Sequence, residues 1–348
     1  MLEQILQEYG LDYPQLEIIP FGSGLINNTW KVNQQNADLS YILQRINHNV
    51  FKSPEDIAHN VRLIGAYLAK HHPNYFFVRN IYTHNGKDLL FIESEGYFRL
   101  VPFVKESHTI DVVQNAGQAF EAAKQFGRFT CLLNDFPVGH LKVTIPDFHN
   151  LTLRYDQFLQ ALQTGNPARI AASEPEIEWL KEQEYIVKRF DAMKQNPDFK
   201  VRVTHHDTKI SNVLFDNHDK GLCVIDLDTV MPGYFISDVG DMMRTCLSPV
   251  SEEEKDFSKI VIREKYYKAI VEGYIEGMEG ELSEAERNSF FDAGCYLIYM
   301  QALRFLADHI NNDIYYGAKY EGHNFVRAGN QIILLKRMLE KESELRAI

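Results

Sequence analysis

Residues 203–228 constrain the fold of this chain more than any other segment. They read as a strand, a polar loop, a short apolar strand, a turn and a further apolar strand that ends at Asp226. The turn at residues 216–221 contains Asp, Asn and Gly, which favour a tight reversal. Because a hairpin places its two strands side by side, the polar loop and Asp226 are expected to meet at one end of it. The sequence therefore predicts a single site built from both.

The polar loop has the spacing His205-x-Asp207-x-x-x-x-Asn212. In phosphoryl transfer, an Asp at this position orients the attacking hydroxyl and accepts its proton, and an Asn five residues later holds a metal ion. Asp226 follows Asn212 by fourteen residues, where a second metal carboxylate is expected. Alternatively, Asp207 and Asn212 are ordinary turn formers, and Asp226 and Asp228 cap a loop. The order of all the parts favours the catalytic interpretation.

On these residues the chain resembles the aminoglycoside phosphotransferase and choline kinase family, along nearly its whole length. The likeness is closest to the N-acetylhexosamine 1-kinases, which use ATP to phosphorylate the anomeric hydroxyl of N-acetylglucosamine and N-acetylgalactosamine. It rests on Asp207-Thr208-Lys209 and on residues 224–233. The resemblance implies that Asp207 is the catalytic base and that Asn212 and Asp226 bind Mg²⁺.

The resemblance also implies an α+β, bilobal, protein-kinase-like fold. Residues 1–104, where short strand signals alternate with turns, would form a small antiparallel-sheet lobe that binds the nucleotide. Residues 105–348, with mainly helical periodicity, would form the larger catalytic and substrate-binding lobe. In this arrangement Asp228 lies beside the substrate, and His205 and Asp238 have structural roles, with Asp238 bracing the catalytic loop.

A glycine-rich segment, Gly22-Ser23-Gly24, separates two strand-like segments at residues 15–20 and 29–33. Glycines in a hairpin let backbone N–H groups approach phosphate without interference from a Cβ atom. We therefore expect Gly22, Ser23, Gly24 and Thr29 to contact the nucleotide. The alternative is an ordinary hairpin without a ligand.

The strand at residues 41–45 lacks the lysine that protein kinases use to bind phosphate. Alternation places Gln44 and Arg45 on opposite faces, so only one of them can face the nucleotide. The sequence favours Arg45, because it carries the charge. The helix that starts after Ser53 has Glu55 and Asp56 in its first turn, where they are partners either for that cation or for the helix dipole.

Phe103 and Val104 follow a second hairpin, and the resemblance implies that they meet the adenine. They are equally compatible with ordinary core packing between the lobes.

Arg304 lies in an apolar helical stretch at residues 300–308, where an unpaired charge would be costly to bury. It therefore needs a carboxylate partner or a polar ligand. The resemblance implies that Arg304 and Tyr315, which follows the helix, line the sugar site. Alternatively, Arg304 and Asp308 form a surface pair one helical turn apart.

Composition limits the partners. There are 36 Lys plus Arg and 48 Asp plus Glu, a net charge of −12, which argues against nucleic acid or an anionic membrane as the main partner. No apolar run of about 18 residues and no leader is present, so we expect a cytoplasmic protein, either a monomer or a homodimer. The four cysteines lack metal-site spacing and are expected to be reduced core residues.

Three functions remain open on the sequence: an anomeric sugar kinase, a kinase of the same fold for choline, homoserine, methylthioribose or an aminoglycoside, and a pseudo-kinase that only binds. The presence of Asp207, Asn212 and Asp226 disfavours the third. A cationic acceptor would need acids or an aromatic cage. Glu281, Glu284 and Glu286 cluster at a helix start, and Tyr315-Tyr316 is a candidate cage wall, so this alternative stays open.

Overall fold

The computed structural model describes residues 2–12, 15–22, 26–35 and 37–348. The strands are β1 (Leu16–Pro20), β2 (Asn28–Gln34), β3 (Leu39–Ile46), β4 (Leu90–Ile92), β5 (Gly96–Pro102), β6 (Ser107–His108), β7 (Arg202–Thr204), β8 (Val213–Asp216), β9 (Gly221–Val224) and β10 (Met231–Gly233). The helices are α1 (Leu2–Glu8), α2 (Pro54–His71), α3 (Ala116–Leu132), α4 (Leu151–Thr164), α5 (Pro167–Ala172), α6 (Glu174–Glu182), α7 (Tyr185–Gln195), α8 (Phe235–Cys246), α9 (Glu264–Gly277), α10 (Glu284–Arg287), α11 (Phe290–Ile310), α12 (His323–Glu340) and α13 (Glu342–Leu345).

An antiparallel five-stranded sheet occupies the N-terminal part, in the order β1-β2-β3-β5-β4. Helix α1 covers one face of this sheet, where Ile5 and Leu6 pack in one apolar cluster with Leu43, Phe98 and Leu100. The rest of the chain is mainly helical. The expected α+β, bilobal, protein-kinase-like fold is thereby confirmed.

Helix α2 lies within the N-terminal part of the sequence but packs into the core of the helical part. Its buried side chains Ile57, Val61 and Ile64 belong to the same apolar cluster as the residues of the C-terminal helices. Its Asn60 side chain donates hydrogen bonds to the carbonyls of Lys142 (2.8 Å) and Val230 (2.9 Å). The helix is therefore fixed to the helical part.

The catalytic segment forms two small ladders. Strands β8 and β9 make the hairpin predicted from the turn at residues 216–221, and β6 adds to its outer edge. Strand β7 pairs with β10, so the chain before the catalytic loop lies beside the chain that follows Asp226. These pairings bring residues 205–212 and 225–230 together.

Residues 174–195 form two helices, α6 and α7. The side chain of Ser173 does not cap α6, because Ser173 also ends α5 and its φ of −105° and ψ of 12° do not suit an N-cap. Ser283 and Glu286 form a capping box at the start of α10, which ends at Arg287. Glu286 there also pairs with buried Arg202, which ties α10 to β7.

The expected free cysteines are confirmed: Cys223, Cys246 and Cys295 are buried, Cys131 is half-buried, and none forms a disulfide. Within the described ranges, we find no helix with the length and apolar character needed to cross a membrane.

Helices α3 and α9 are in close contact through glycines, and this contact predicts a stability effect. A Cβ added at Gly273 would lie 2.3 Å from the carbonyl oxygen of Phe120, so the two backbones would have to separate. We expect Gly273→Ala to lower the free energy of unfolding by about 1–3 kcal/mol, as overpacking does. Denaturant unfolding measures this. The control is Gly139→Ala, which meets no atom within 4 Å; equal stability of the two variants would contradict the prediction.

Candidate active site

The loop between β7 and β8 carries Asp207, and the carboxylate of Asp238 holds its backbone. Asp238 lies in the first turn of α8, is fully buried, and accepts hydrogen bonds from the backbone N–H groups of His205 (3.2 Å) and His206 (2.7 Å). Burial raises the pKa of Asp238 to about 7, while the two N–H donors oppose that rise. His206 has a φ of 66°, a left-handed conformation that these two bonds hold in place.

The ring of His205 connects the loop to the strand that precedes Asp226. Its Nε2–H donates to the carbonyl of Ile225 (2.9 Å), and its Nδ1 accepts from the backbone N–H of Asp207 (3.3 Å). Burial lowers the pKa of His205, which favours the neutral ring that both bonds require. The structural role predicted for His205 agrees with these contacts.

The Asp207 carboxylate is half-buried and has two close partners. Lys209 Nζ lies 3.0 Å from its Oδ1, and Asn212 Nδ2 donates to its Oδ2 at 3.1 Å. Burial raises the pKa of Asp207, but the charge and hydrogen bond of Lys209, with that of Asn212, outweigh this and hold it below its usual value. Asp207 is therefore ionised and oriented.

Asn212 and Asp226 lie on neighbouring segments, as the hairpin predicts. The backbone N–H of Ile225 donates to the carbonyl of Asn212 at 2.9 Å, and Asp226 follows directly. The Asn212 side chain donates through Nδ2 to the carbonyl (2.8 Å) and the carboxylate of Asp207. Its Oδ1 has no protein partner among the described residues, and neither has the Asp226 carboxylate.

The charge of the Asp226 carboxylate has no ion-pair partner among the described residues. Solvent reaches its side chain, but the protein around it is dense enough that desolvation raises its pKa to about 7, and the charge of Asp228 adds to this rise. Its φ of 57° turns the chain sharply after β9 and directs the side chain away from the strand. A cation beside Asp226 would offset the charge that the protein leaves unpaired.

The side-chain oxygens of Asn212 and Asp226 suit Mg²⁺. Oxygen ligands from an amide and a carboxylate are typical of Mg²⁺ sites, which usually keep several waters and phosphate oxygens. Across the described ranges, no group of three or more His, Cys, Asp and Glu side chains is arranged to hold a metal ion by itself. The oxygens of Asn212 and Asp226 therefore fit two of the ligand positions of a Mg²⁺ ion.

A chain of buried charges supports the other side of the catalytic loop. Asp241 of α8 accepts from the backbone N–H of Thr208 (2.9 Å) and pairs with Arg244 (2.9 Å). Arg244 also binds Glu252 (2.7 Å), which in turn binds Arg327 of α12. The loop is thereby tied to the C-terminal helices.

Asp228, which was expected beside the substrate, is only 2% exposed. One of its oxygens binds Arg99 of β5, and the other accepts from Asn27 Nδ2 at 2.8 Å. Both oxygens therefore have protein partners, and both partners come from the sheet-containing part. The substrate role of Asp228 stays a prediction, and its contacts favour a structural role.

The position of Arg45 does not favour the phosphate contact expected for it. In the register of the sheet, Arg45 lies opposite Phe98 and shares the face that α1 covers, where it pairs with Glu95 (3.3 Å). Gln44 lies on the other face, opposite Arg99. Contact of Arg45 with the phosphates stays a prediction, and the sequence could not show which face of β3 packs against α1.

Arg99 lies on the inner face of the sheet, which it shares with Lys31. Its Nε donates to Gln44 Oε1 (2.8 Å), and Gln44 Nε2 in turn donates to Thr29 Oγ1 (3.3 Å). This polar row crosses three strands and ends at Asp228. Thr29, a predicted nucleotide contact, belongs to the row.

Of the glycine-rich segment, Gly22 is described and has a φ of 83°, while Ser23 and Gly24 lie outside the described residues. Phe103 donates its backbone N–H to the carbonyl of Ser40 (2.9 Å), and its half-buried ring lies under Lys31 Nζ (3.8 Å). The carbonyl of Val104 accepts from Ser107 Oγ (2.7 Å). Contact of these residues with a nucleotide stays a prediction.

Arg304 does not form the surface pair with Asp308. Asp308 instead accepts the backbone N–H groups of Tyr315 (2.7 Å) and Tyr316 (3.0 Å), which fixes the turn after α11. Arg304 donates to Gln301 Oε1 (3.3 Å) and to the Tyr315 hydroxyl (3.4 Å). The structure thus brings Arg304 and Tyr315 together, and Tyr315 is 71% exposed.

His149 and Arg154 lie on the same side of the site as Arg304. The His149 ring is 5.4 Å from that of His206, next to Asp207, and its Nδ1 is buried without a partner in the described part of the chain. Burial lowers the pKa of His149 well below its usual value, and the charges of His206 and Arg304 contribute. Burial and the Arg304 charge likewise lower the pKa of Arg154. This positively charged region lies beside the catalytic loop.

Several of these residues were missed from the sequence. Arg99 had a signal, because it is a charge inside the apolar strand 97–101. Lys209 stands two residues after Asp207, where a cation can reach the same carboxylate. Asn27 and His149 had no comparable signal, since their contacts join segments far apart in the chain.

The sequence model of the phosphotransferase enzyme family (APH) matches residues 17–280. The match covers more than half of the chain and includes Asp207, Asn212, Asp226 and Asp238. It ends before Arg304, so it does not bear on the acceptor side of the site.

Three solved structures have the same fold. A spectinomycin phosphotransferase in complex with ADP and spectinomycin has a TM-score of 0.61 and 13% identity, over 98% of this chain and 97% of that one. An amicoumacin kinase in complex with AMP-PNP and Ca²⁺ has a TM-score of 0.57 and 14% identity, over 98% and 93%. A microcompartment-associated aminopropanol kinase has a TM-score of 0.62 and 13% identity, over 99% and 97%. At such identities the likeness shows the fold alone.

The raised pKa of Asp226 predicts that Mg²⁺ binding weakens as the pH falls. Below a pH of about 7 the carboxyl holds a proton that Mg²⁺ must displace, so the apparent affinity should fall by up to about tenfold per pH unit. Calorimetric titration with Mg²⁺ in the presence of ADP measures this between pH 8 and pH 6. Asp226→Asn is the control for protonation of the nucleotide itself. Equal pH dependence in the wild type and the variant would contradict the prediction.

Proposed function

We propose, since the chain belongs to the phosphotransferase enzyme family, that it transfers the γ-phosphoryl group of ATP to the anomeric hydroxyl of an N-acetylhexosamine. The product would be the sugar 1-phosphate of N-acetylglucosamine or N-acetylgalactosamine. The resemblance of residues 207–209 and 224–233 to the N-acetylhexosamine 1-kinases supports this choice. Two of the compared structures contain ADP or AMP-PNP, one of them with Ca²⁺, which supports ATP and a divalent cation as ligands.

The observation that carries the choice of acceptor is the charge of the region around Arg304. Burial lowers the pKa of Arg154, and the charge of the nearby Arg304 lowers it further. Arg304 donates to the neutral groups of Gln301 and Tyr315, and Arg154 donates to Gln157 Oε1 (2.9 Å) and to the carbonyl of Asp147 (2.9 Å). Such a region suits a neutral acceptor with many hydroxyl and carbonyl oxygens, because guanidinium groups are donors only.

The same region disfavours choline, amino alcohols and aminoglycosides. A cationic acceptor would need free carboxylates, but Asp308 is bonded to two backbone N–H groups and Glu252 to two arginines. The rings of Tyr315 and Tyr316 do not form a vacant cage, because the Arg304 guanidinium already lies 5.7 and 5.3 Å from their centres. The observed contacts therefore favour the sugar.

In the proposed reaction, Asp207 accepts a hydrogen bond from the attacking hydroxyl and takes its proton late. Because the transition state of phosphoryl transfer is loose, the base needs little strength, which suits a carboxylate with a lowered pKa. The anomeric hydroxyl is more acidic than an ordinary alcohol, so this weak base is adequate for it. The acceptor oxygen attacks phosphorus in line with the departing ADP, and no covalent enzyme intermediate is needed.

Lys209 lies 3.0 Å from the Asp207 carboxylate and keeps it ionised and oriented before transfer. Asn212 and Asp226 would hold Mg²⁺, which supplies charge neutralisation of the phosphate oxygens when bound. Asp238 and Asp241 keep the loop in place through its backbone N–H groups. The inner face of the sheet and residues 103–104 would hold the nucleotide.

Replacement of the proposed base tests the mechanism. We expect Asp207→Asn to lower turnover by about 10²–10⁴-fold, because it removes proton transfer and weakens orientation of the hydroxyl. ADP binding should change little, since Asp207 is assigned to the acceptor. Turnover is measured by coupled ADP release and binding by calorimetry. Turnover within threefold of the wild type would remove Asp207 from the mechanism.

Replacement of the acceptor residues tests the substrate. We expect Arg304→Ala to raise the KM for N-acetylglucosamine or N-acetylgalactosamine about ten- to a hundredfold, and Tyr315→Phe to raise it less, while the KM for ATP stays nearly constant. Arg337→Ala, in an exposed pair with Glu340 on α12, is the matched control and should leave both constants unchanged.

A methyl glycoside of the same sugar tests the hydroxyl. It has no free anomeric hydroxyl and should not be phosphorylated at all. If it is consumed as fast as the free sugar, another hydroxyl is the acceptor and the anomeric assignment is wrong. Choline, homoserine and an aminoglycoside in the same assay decide between the sugar and the other acceptors.

A further inference from the structure

The ion pair that protein kinases build between a strand lysine and a helix glutamate has no counterpart at the usual positions here. Strand β3 offers Gln44 on the inner face, while Arg45 lies on the other face. On α2, Glu55 is exposed, and neither it nor Asp56 forms an ion pair within the described ranges. The charges that join the sheet to the catalytic part must come from elsewhere.

Arg99 and Asp228 form such a pair at a different place. Arg99 comes from β5, next to β3, and Asp228 follows Asp226 by two residues. Their side chains are 6% and 3% exposed, so the pair is almost entirely shielded from water.

The turn that carries Asp228 is held by two segments of the sheet-containing part, and also by α2, which is fixed to the helical part. Arg99 binds it from β5, Asn27 from the chain before β2 (2.8 Å), and Asn60 of α2 through the carbonyl of Val230 (2.9 Å). Asn27 is itself fixed, because its Oδ1 accepts from the backbone N–H of Asn47 (3.0 Å). The position of Asp226 is therefore defined relative to the sheet.

We propose that the Arg99–Asp228 pair takes the place of the lysine–glutamate pair and positions Asp226 for the metal that accompanies the nucleotide. The inference rests on the proposed phosphoryl transfer but not on the identity of the acceptor. Arg99 is a positioning residue, because its Nε and a terminal nitrogen are bonded to Gln44 and Asp228 and it is 5% exposed. It acts on the metal site through Asp228.

The test measures ADP binding by calorimetry with and without Mg²⁺, in the full-length wild type and in Arg99→Met. Loss of a residue that orients a metal ligand typically costs about 10–100-fold in metal affinity. We therefore expect the gain in ADP affinity caused by Mg²⁺ to shrink by about that factor, while binding without Mg²⁺ stays within about twofold. Arg62→Met, which breaks the exposed pair of Arg62 with Asp88 on the same part of the chain, should leave both values unchanged.

Two further variants keep the test decisive if Arg99→Met does not fold. Asp228→Asn preserves the shape of the side chain and an oxygen for Asn27, and it should reduce the Mg²⁺ effect in the same way. Arg99→Lys keeps the charge but loses the bond to Gln44, and its Mg²⁺ effect should lie between those of the wild type and Asp228→Asn. In the double variant Arg99→Met/Asp228→Asn, the loss of the Mg²⁺ effect on ADP binding should be smaller than the sum of the losses in the two single variants. The reason is that the double variant leaves no unpaired charge.

The inference is overturned if Arg99→Met or Asp228→Asn folds and retains the full Mg²⁺ effect on ADP binding. It is also overturned if ADP binding falls equally with and without Mg²⁺, because the pair would then support the nucleotide pocket in general. If the wild type itself shows no effect of Mg²⁺ on ADP binding, the proposed phosphoryl transfer fails first and this inference fails with it.

Discussion

The hydrogen bonds from His205 and His206 to the Asp238 carboxylate are the interaction on which the site depends. They hold a left-handed residue immediately before Asp207, and α8 supplies the rigid support for them. Burial disfavours the charged form of Asp238 and raises its pKa. The two backbone N–H donors favour the charged form and oppose that rise. If the loop moved away, the carboxylate would lose the donors that compensate its burial. The position of the base and the stability of α8 are therefore coupled.

Sequence reasoning located the parts that lie close together along the chain. The spacing of Asp207 and Asn212, and the hairpin that brings Asp226 to them, follow from local turn chemistry and strand pairing. The orientation of Arg45 could not be predicted, because the buried face of β3 is decided by packing against α1, which no local pattern reveals. The contacts of Asp228 were hidden for the same reason, since its partners lie more than a hundred residues away.

The acceptor side shows how much depends on long-range packing. Arg304 was recognised because a charge in an apolar helix requires a partner, but the sequence left its partner undecided between Asp308 and a ligand. In the structure, Asp308 accepts a backbone hydrogen bond in the turn after α11, and the Arg304 guanidinium contacts Tyr315 instead. Arg154 and His149 come to the same region from residues that precede the catalytic loop by some fifty positions. Their grouping depends on the packing of α4 against α11.

The packing of α2 has a mechanical consequence. Helix α2 shares its buried face with the C-terminal helices and is bonded to the carbonyl of Val230. Rotation of α2 would expose these apolar side chains and break that bond. A change in the angle of the five-stranded sheet would instead break the contacts of Arg99 and Asn27 with Asp228. The two movements would therefore disrupt different contacts of the same turn.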